Sequence, residues 1–237
     1  MFTEQAALNN AIWCDTVCRA HGRPGQFLPG LWLNRLAAPR FYPNVVTLTA
    51  GDAPLQIEHI RELSRAGLPA GWSVKDSFRA LDLAALGFEV LFDAEWIWRP
   101  AEAAAPDSGS AGAHWARART EAELAAWETA SGSRADDARM FPPVLLADPA
   151  LAFPADNREG GFHAGAIVNR AAGAAGLSNL FGPSDQATRT FASAVAAAQA
   201  VFPGLPLVGY ESGDDRAAAQ TVGFAASGPL RVWVSRA

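Results

Sequence analysis

The chain has 237 residues, of which 50% are hydrophobic and 18% charged, so it can bury a substantial core and intrinsic disorder is excluded. Its formal charge of −5 argues against nucleic acid as the main partner, because duplex binding depends on neutralising phosphates. The start lacks the basic and apolar regions of a secretory signal, and no apolar run approaches the length of about 18 residues that spans a membrane. We therefore expect a cytoplasmic protein, monomeric or homodimeric, without a nucleic-acid or membrane partner.

Cysteine and histidine are sparse. Cys14 and Cys18 are four residues apart in a predicted helix, a spacing that puts both on one face but holds the thiols too far apart for an easy disulfide. His21 is the only other metal-ligand type nearby, and the remaining histidines are scattered at positions 59, 114 and 163. We expect two reduced cysteines and no metal site.

The first 100 residues alternate helical and extended patterns. A helix is predicted around NNAIWCDTVCRAHG, followed by the Gly/Pro-rich stretch RPGQFLPGLW. The next predicted elements are a strand in NVVTLTAG, a helix in APLQIEHIRELSRAG, a strand in WSVKDSF, a short helix in RALDLAALG and a strand in FEVLFDAEWIWR. The small and polar residues of AEAAAPDSGSAGA then predict a linker. We place one domain at 1–100, the linker at 101–112 and a second domain at 113–237.

The second segment contains both hairpin and helix signals. A short strand is predicted in HWARART, and Thr120 with Glu123 predicts a capping box at the start of the helix that follows. Two strands around a polar turn follow in ALAFPADNREGG and FHAGAIVNRAAG, then a strand in AAGLSNLF. Ser184 or Asp185 is predicted to cap the Ala-rich helix QATRTFASAVAAAQAVF. A strand in PLVGYES, a helix in DDRAAAQTVG and a strand in GPLRVWVS complete a mixed α/β sheet with flanking helices.

Two stretches share one pattern of strand, short helix, Gly-Phe and strand. They are WSVKDSFRALDLAALGFEVLFDAEWIWR, at 72–99, and LVGYESGDDRAAAQTVGFAASGPLRVWV, at 207–234. The pattern resembles the C-terminal half of the GNAT superfamily of N-acetyltransferases. The resemblance covers nearly all of 113–237 but only the second half of the first segment. It implies two GNAT-like units in tandem, of which the C-terminal one is more complete.

The resemblance also implies a site for acetyl-CoA between two splayed strands, here GLSNLF and LVGYES. The residues expected to contact the cofactor in this way are Ser178, Asn179, Leu180, Phe181, Gly182, Ser184, Gln186 and Arg189. The phosphate loop departs from the family pattern of spaced glycines, because Pro183 lacks an N–H and Asp185 repels phosphate. Ala219 occupies about the position of the family's usual Tyr.

Tyr210 and Glu211 end a predicted strand, where open α/β sheets place their sites. Under the resemblance, Glu211 is the base that deprotonates an amine and Tyr210 the acid that protonates the thiolate. The other interpretation is a surface Glu beside a core Tyr, since neighbouring strand residues point to opposite faces. Asn10, Trp13 and Tyr42 are candidate substrate-binding residues at a domain interface, with core packing as the alternative for Trp13.

The predicted function is transfer of an acetyl group from acetyl-CoA to a small-molecule amine by direct attack in a ternary complex. The alternative is a catalytically inactive GNAT-like protein that binds a small ligand or a partner in the cleft between the units. A different acyl donor is a third possibility. The degenerate phosphate loop and the missing Tyr favour the inactive alternative.

Overall fold

The computed structural model describes residues 2–106, 115–133, 139–158 and 161–236. The second half of the predicted linker, residues 107–112, and His114 lie outside these residues. The elements of the first segment are α1 (Phe2–Ala20), β1 (Gln26–Leu28), β2 (Leu31–Leu33), β3 (Val45–Thr47), α2 (Ala53–Arg65), β4 (Ser73–Asp76) and β5 (Phe88–Arg99). Those of the second are β6 (Trp115–Arg117), α3 (Glu121–Ala130), β7 (Leu151–Ala152), β8 (Pro154–Arg158), β9 (Gly161–Ala171), β10 (Ala174–Phe181), α4 (Ala187–Val201), β11 (Leu207–Glu211), α5 (Gly213–Thr221) and β12 (Ala225–Ser235).

All twelve strands belong to one mixed sheet. Its order is β1-β2-β3-β4-β12-β5-β11-β10-β9-β8-β6, with β7 paired to β9. The last strand of each segment lies inside the other: β5 is inserted between β11 and β12, and β12 between β4 and β5. The predicted domain boundaries stay a prediction, while the strands of the two segments interleave in a single sheet.

Helices cover both faces of this sheet. Successive residues of β10 show the two faces, because Ala174 packs with Ala6 and Ala7 of α1, whereas Ala175 packs in the core formed by α4 and α5. α2 covers the first segment's strands through Ile60 and Leu63. The faces are called the α1 face and the α4–α5 face below. None of the described helices is long and apolar enough to cross a membrane.

Two stretches of the first segment differ from their predicted structure. The RALDLAALG stretch is not a helix but contains only a 3₁₀ turn, Ala84–Leu86. The Asp76 carboxylate accepts hydrogen bonds from the backbone N–H groups of Phe78, Ala80 and Leu81, which holds this stretch in a loop. The Gly/Pro-rich stretch forms the β1–β2 hairpin, which the sequence did not predict.

The two helix-cap predictions have opposite outcomes. The Thr120–Glu123 capping box is confirmed: the Glu123 N–H donates to Thr120 Oγ1 at 3.2 Å, and the Thr120 N–H donates to Glu123 Oε2 at 3.0 Å. The predicted cap at Ser184 or Asp185 is wrong. Both residues lie in a 3₁₀ turn that Pro183 begins, and α4 starts only after Gln186, which makes no side-chain cap.

Candidate active site

The parallel strands β10 and β11 separate after a short contact. They pair only at Ala175–Leu207 and Gly176–Val208. Beyond this point β10 loses its register with β9 between Ser178 and Phe181, and Asn179 takes a left-handed backbone conformation with a φ of 50°. Past the bulge, β10 has no further paired positions with β11 among the described residues. A gap therefore opens through the sheet at the carboxyl ends of two neighbouring parallel strands, and we call it the splay gap.

A small cavity of about 140 Å³ occupies the splay gap. It is lined by residues of α1, β5, β9, β10 and β11, which include Asn10, Trp96, Ser178, Tyr210 and Glu211. The Ser178 hydroxyl is buried and has no hydrogen-bond partner among the described residues. An unsatisfied buried hydroxyl is costly, so a ligand atom in the gap would find a ready partner there.

Two asparagines and a glycine form the wall of the gap on the α1 face. Asn9 donates to the carbonyl oxygens of Ala171 and Ala174 at 3.0 and 3.2 Å, and Asn169 donates to Asn9 Oδ1 at 3.1 Å. A Cβ at Gly176 would lie 2.1 Å from Asn9 Oδ1 and 2.3 Å from Asn169 Oδ1. The amide network therefore requires glycine at this position of β10, and it anchors α1 beside the gap.

Tyr210 and Glu211 both border the gap although they are neighbours on one strand. This is possible because the gap passes through the sheet, so side chains on either face reach it. Tyr210 lies on the α1 face, with its ring 5.5 Å from Trp96 in an edge-on contact and 4.3 Å from the Lys75 ammonium. Glu211 also lines a cavity on the α4–α5 face. The two side chains thus mark the two entrances of one opening.

The Glu211 carboxyl group is electrostatically unusual. Burial, with a smaller contribution from the negative charge of Asp215, raises its pKa to about 8. A carboxylate with this pKa is a stronger proton acceptor than an ordinary one and remains partly ionised near neutral pH. The environment of Glu211 is therefore suited to general-base chemistry.

The α4–α5 face carries two cavities that continue outward from Glu211. A cavity of about 420 Å³ lies between the end of β10 and the start of α5, and a groove of about 980 Å³ runs between α4 and α5. The predicted cofactor residues divide among these spaces and the splay gap. Ser178 and Leu180 line the gap. The 420 Å³ cavity is lined by Leu180, Phe181, Gly182 and Ser184. The 980 Å³ groove is lined by Ser184, Gln186 and Arg189. Asn179 supplies the bulge, and the Phe181 ring packs on Trp127 at 5.1 Å.

The mouth of these cavities is acidic. Asp214 and Asp215 begin α5 and line the 420 Å³ cavity, and Asp185 lines the groove beside Arg189. Pro183 contributes no N–H to the loop that precedes α4. Two arginines line the groove, the buried Arg99 and the exposed Arg189, and of these Arg189 lies in α4 near its start.

A cavity of about 490 Å³ lies on the opposite, α1 side of Tyr210. Tyr42 lines this cavity, and its hydroxyl has no hydrogen-bond partner among the described residues. Asn10 lines the splay gap nearby and accepts a hydrogen bond from Lys75 at 2.8 Å. Trp13 instead lies in the core, 2% exposed, against Tyr42 and Phe141.

Two residues near the splay gap were not predicted from the sequence: Lys75, which contacts the Tyr210 ring, and Asn169, which belongs to the amide network. Lys75 is the only lysine in the chain, which is a signal that could have drawn attention to it. Asn169 had no comparable signal, because its role depends on the contact with Asn9. No group of three or more potential metal ligands occurs within the described ranges.

Comparisons with known proteins agree with the fold. No family model and no curated protein matches the sequence. A GCN5-related N-acetyltransferase from Kribbella flavida has a TM-score of 0.61 at 17% identity, covering 98% of this chain and 96% of its own. A GNAT-family protein from Novosphingobium aromaticivorans has a TM-score of 0.57 at 11% identity, covering 98% and 99%. A tandem GNAT protein from the clavulanic acid biosynthesis pathway has a TM-score of 0.55 at 14% identity, covering 86% and 78%.

At these identities the likeness establishes the architecture. The chain has the GNAT acetyltransferase fold, and the predicted α/β sheet with flanking helices is confirmed. The match to a tandem GNAT protein agrees with two GNAT-like units in one chain. A fold alone does not define the acceptor or the activity, which depend on the residues of the site.

Proposed function

We propose that this protein is an N-acetyltransferase that transfers the acetyl group of acetyl-CoA to a small amine by direct attack in a ternary complex. The observation that carries the proposal is the splay gap, which passes through the sheet and meets a separate cavity on each face. Two substrates can therefore approach one point from opposite sides. Tyr210 and Glu211 lie at that point.

The residues present fit an acyl donor that enters from the α4–α5 face. The cavity beside Glu211 leads into the gap, where the unpartnered Ser178 hydroxyl can donate a hydrogen bond. Acetyl-CoA supplies an acetyl group activated as a thioester. Arg189 lies in the outer groove, where it can pair with a phosphate group.

The proton transfers follow from the two side chains at the gap. Glu211 accepts a proton from the ammonium group of the acceptor, for which its raised pKa of about 8 is well matched. The freed amine nitrogen forms a bond to the acetyl carbon as the carbon–sulfur bond breaks, and Tyr210 donates its hydroxyl proton to the departing sulfur. The attacking nitrogen then releases its surplus proton to water, and Tyr210 regains a proton from water, so that the proton count balances. The products are an N-acetylated amine and free CoA.

The acidic mouth favours a second candidate, a GNAT-shaped protein that binds a small ligand without catalysis. Asp185, Asp214 and Asp215 surround the place where the phosphates of CoA would lie, and like charges oppose their binding. This candidate needs the same cavities but no acyl donor. The two functions differ in whether CoA binds.

Titration calorimetry of acetyl-CoA and CoA into the purified protein separates them. We expect micromolar binding to the wild type and at least about tenfold weaker binding to Arg189→Ala, because a charged hydrogen bond is lost. Arg65→Ala, on the exposed surface of α2, is the matched control and should bind like the wild type. An absence of binding to the wild type would overturn the acetyltransferase proposal in favour of the second candidate.

A further inference from the structure

The 490 Å³ cavity on the α1 side of Tyr210 has a distinctive lining. Its floor is apolar and comes from β5 and β12, with Leu91, Phe92, Val232 and Val234. Leu91 is 58% exposed and Phe92 38% exposed, which is unusual for large apolar side chains at the centre of a sheet. A cavity of this volume is in the range of about 300–1,000 Å³ that small-molecule sites occupy.

The charged residues of the lining are Arg40 and Lys75, and both are basic. Lys75 projects from β4 and is only 5% exposed, so its charge is largely removed from water. Its ammonium group donates to Asn10 Oδ1 at 2.8 Å and contacts the face of the Tyr210 ring at 4.3 Å. Both partners are neutral, and no carboxylate within the described ranges forms an ion pair with Lys75.

A buried ammonium group without a counter-charge is an unusual arrangement. Burying a charge is costly unless it is paired, and an ammonium group has three protons to donate. The contacts of Lys75 with Asn10 and Tyr210 leave one donor direction unused. A carboxylate that enters the cavity would complete both the charge and the hydrogen bonding of this group.

We propose that this cavity binds an apolar amine that carries a carboxylate, such as a hydrophobic amino acid, with the carboxylate at Lys75. The apolar body then packs on Phe92, Val232 and Val234. Because Lys75 touches the Tyr210 ring, an amine one or two bonds from the carboxylate reaches the splay gap beside Tyr210. That this ligand is the acetyl acceptor rests on the proposed function, whereas its binding to Lys75 does not.

The test compares a matched acid and amide. N-acetyl-L-phenylalanine and N-acetyl-L-phenylalaninamide are titrated calorimetrically into the full-length protein without acetyl-CoA. We expect the wild type to bind the acid at least about tenfold more tightly than the amide, because only the acid pairs with Lys75. Equal affinity for the two probes in the wild type would overturn the inference.

Two variants remove the preference by different routes. Lys75→Met deletes the charge at nearly constant length, and Asn10→Asp leaves Lys75 in place but supplies an internal carboxylate at hydrogen-bond distance. We expect both to reduce the acid preference, measured as the ratio of the acid and amide affinities within each variant, to less than about threefold. If Lys75→Met does not fold, Asn10→Asp carries the test alone. A preference that survives in a folded variant with either change would overturn the inference.

Turnover separates this inference from the proposed function. CoA release is measured with acetyl-CoA and either L-phenylalanine or L-phenylalaninamide. Turnover of both amines at equal efficiency would overturn the proposed carboxylate site at Lys75 and would still support the proposed acetyltransferase function. Lys75-dependent binding of the acid, combined with no CoA release from any amine, would support the carboxylate site and contradict the acetyltransferase.

Discussion

The sheet contains two parallel strand pairs of the same design, and only one of them opens. β3 and β4 pair at Val45–Val74 and Val46–Lys75, just as β10 and β11 pair at two positions. In the first pair the next positions are bridged, because the Ser77 N–H donates to Thr47 Oγ1 at 2.8 Å. The Trp96 indole N–H then donates to the Ser77 carbonyl oxygen at 2.9 Å. These hydrogen bonds bridge β3 and β4 at the place where a gap would otherwise form. We call this bridged place the N-terminal gap.

The C-terminal pair lacks such a bridge among the described residues. Asn179 lies in the irregular part of β10 with a positive φ, and Ser178, which corresponds to a position just beyond Thr47, has an unpartnered hydroxyl. A repeated strand pattern therefore specifies where a gap can form, and single side chains decide whether it stays open. The two pairs are also connected, because Lys75 of β4 in the closed pair contacts Asn10 and Tyr210, which line the splay gap.

The largest effect is expected from separating the two segments. Fragment 107–237 lacks β5, which pairs with β11 from Leu207–Arg99 to Glu211–Glu95 and with nearly the whole of β12. We expect this fragment to show no cooperative thermal unfolding by circular dichroism, because its sheet loses a central strand. Coexpression with fragment 1–106 should restore cooperative unfolding and the splay gap. A fragment that unfolds cooperatively alone would show that the second segment is an independent domain.

The interleaving of β5 and β12 marks the limit of sequence-based prediction. The runs of these strands were predicted correctly, because alternation and Gly-Phe punctuation are local signals. Their insertion into each other's segment was not predicted, since Trp98 and Ala225 are distant in sequence and local pattern does not encode pairing partners.

The same limit applies to the site. Tyr210 and Glu211 were selected because sites often lie at the end of a β-strand, and both line the gap, while their catalytic roles stay a prediction. The role of Lys75 depends on a neighbouring helix and on two strands that only the fold brings together. Trp13 was selected for its polar neighbours in sequence, but its own contacts are with the core.

The next effect concerns Glu211→Gln in the open gap. Loss of the base should lower kcat/KM about hundredfold, within the range for general-base catalysis, and should remove the ionisation near pH 8 from the pH–rate profile. Glu58→Gln on the exposed surface of α2 is the control. Unchanged activity in the Gln variant would exclude Glu211 as the base.

The same substitution has a predicted effect on stability. Because the folded-state pKa of Glu211 lies above its unfolded-state value, the folded protein holds this proton more tightly, and wild-type stability falls as pH rises from about 4.5 to about 8. Glu211→Gln cannot ionise, so its advantage in the free energy of unfolding should be smallest near pH 4, below the unfolded-state pKa, and should rise to its full value by pH 9. Denaturant melts at the two pH values measure this difference. A difference in the free energy of unfolding that is the same at both pH values would contradict a raised pKa of the Glu211 carboxyl group in the folded protein.

Gly176→Ala tests the wall of the open gap. The added Cβ would overlap the carbonyl oxygens of Asn9 and Asn169, at 2.1 and 2.3 Å, so we expect a loss of about 3 kcal/mol in the free energy of unfolding. Gly51→Ala is the matched control, since its Cβ would meet nothing within 4 Å. Equal stability of the two variants would mean that α1 can shift without cost.

The smallest effect is expected at the bridge that closes the N-terminal gap. Thr47→Val keeps the side-chain shape but removes the acceptor of the buried Ser77 N–H, which should cost about 1–3 kcal/mol of stability. Thr47→Ser retains the hydroxyl and should lose less. Acetyl-CoA affinity should stay at the wild-type value in both variants, because the proposed donor site lies in the other strand pair. A change in that affinity with Thr47→Val would mean that the two gaps are energetically coupled through β4, Lys75 and Tyr210. The closed gap would then be a regulator of the open one rather than a structural remnant.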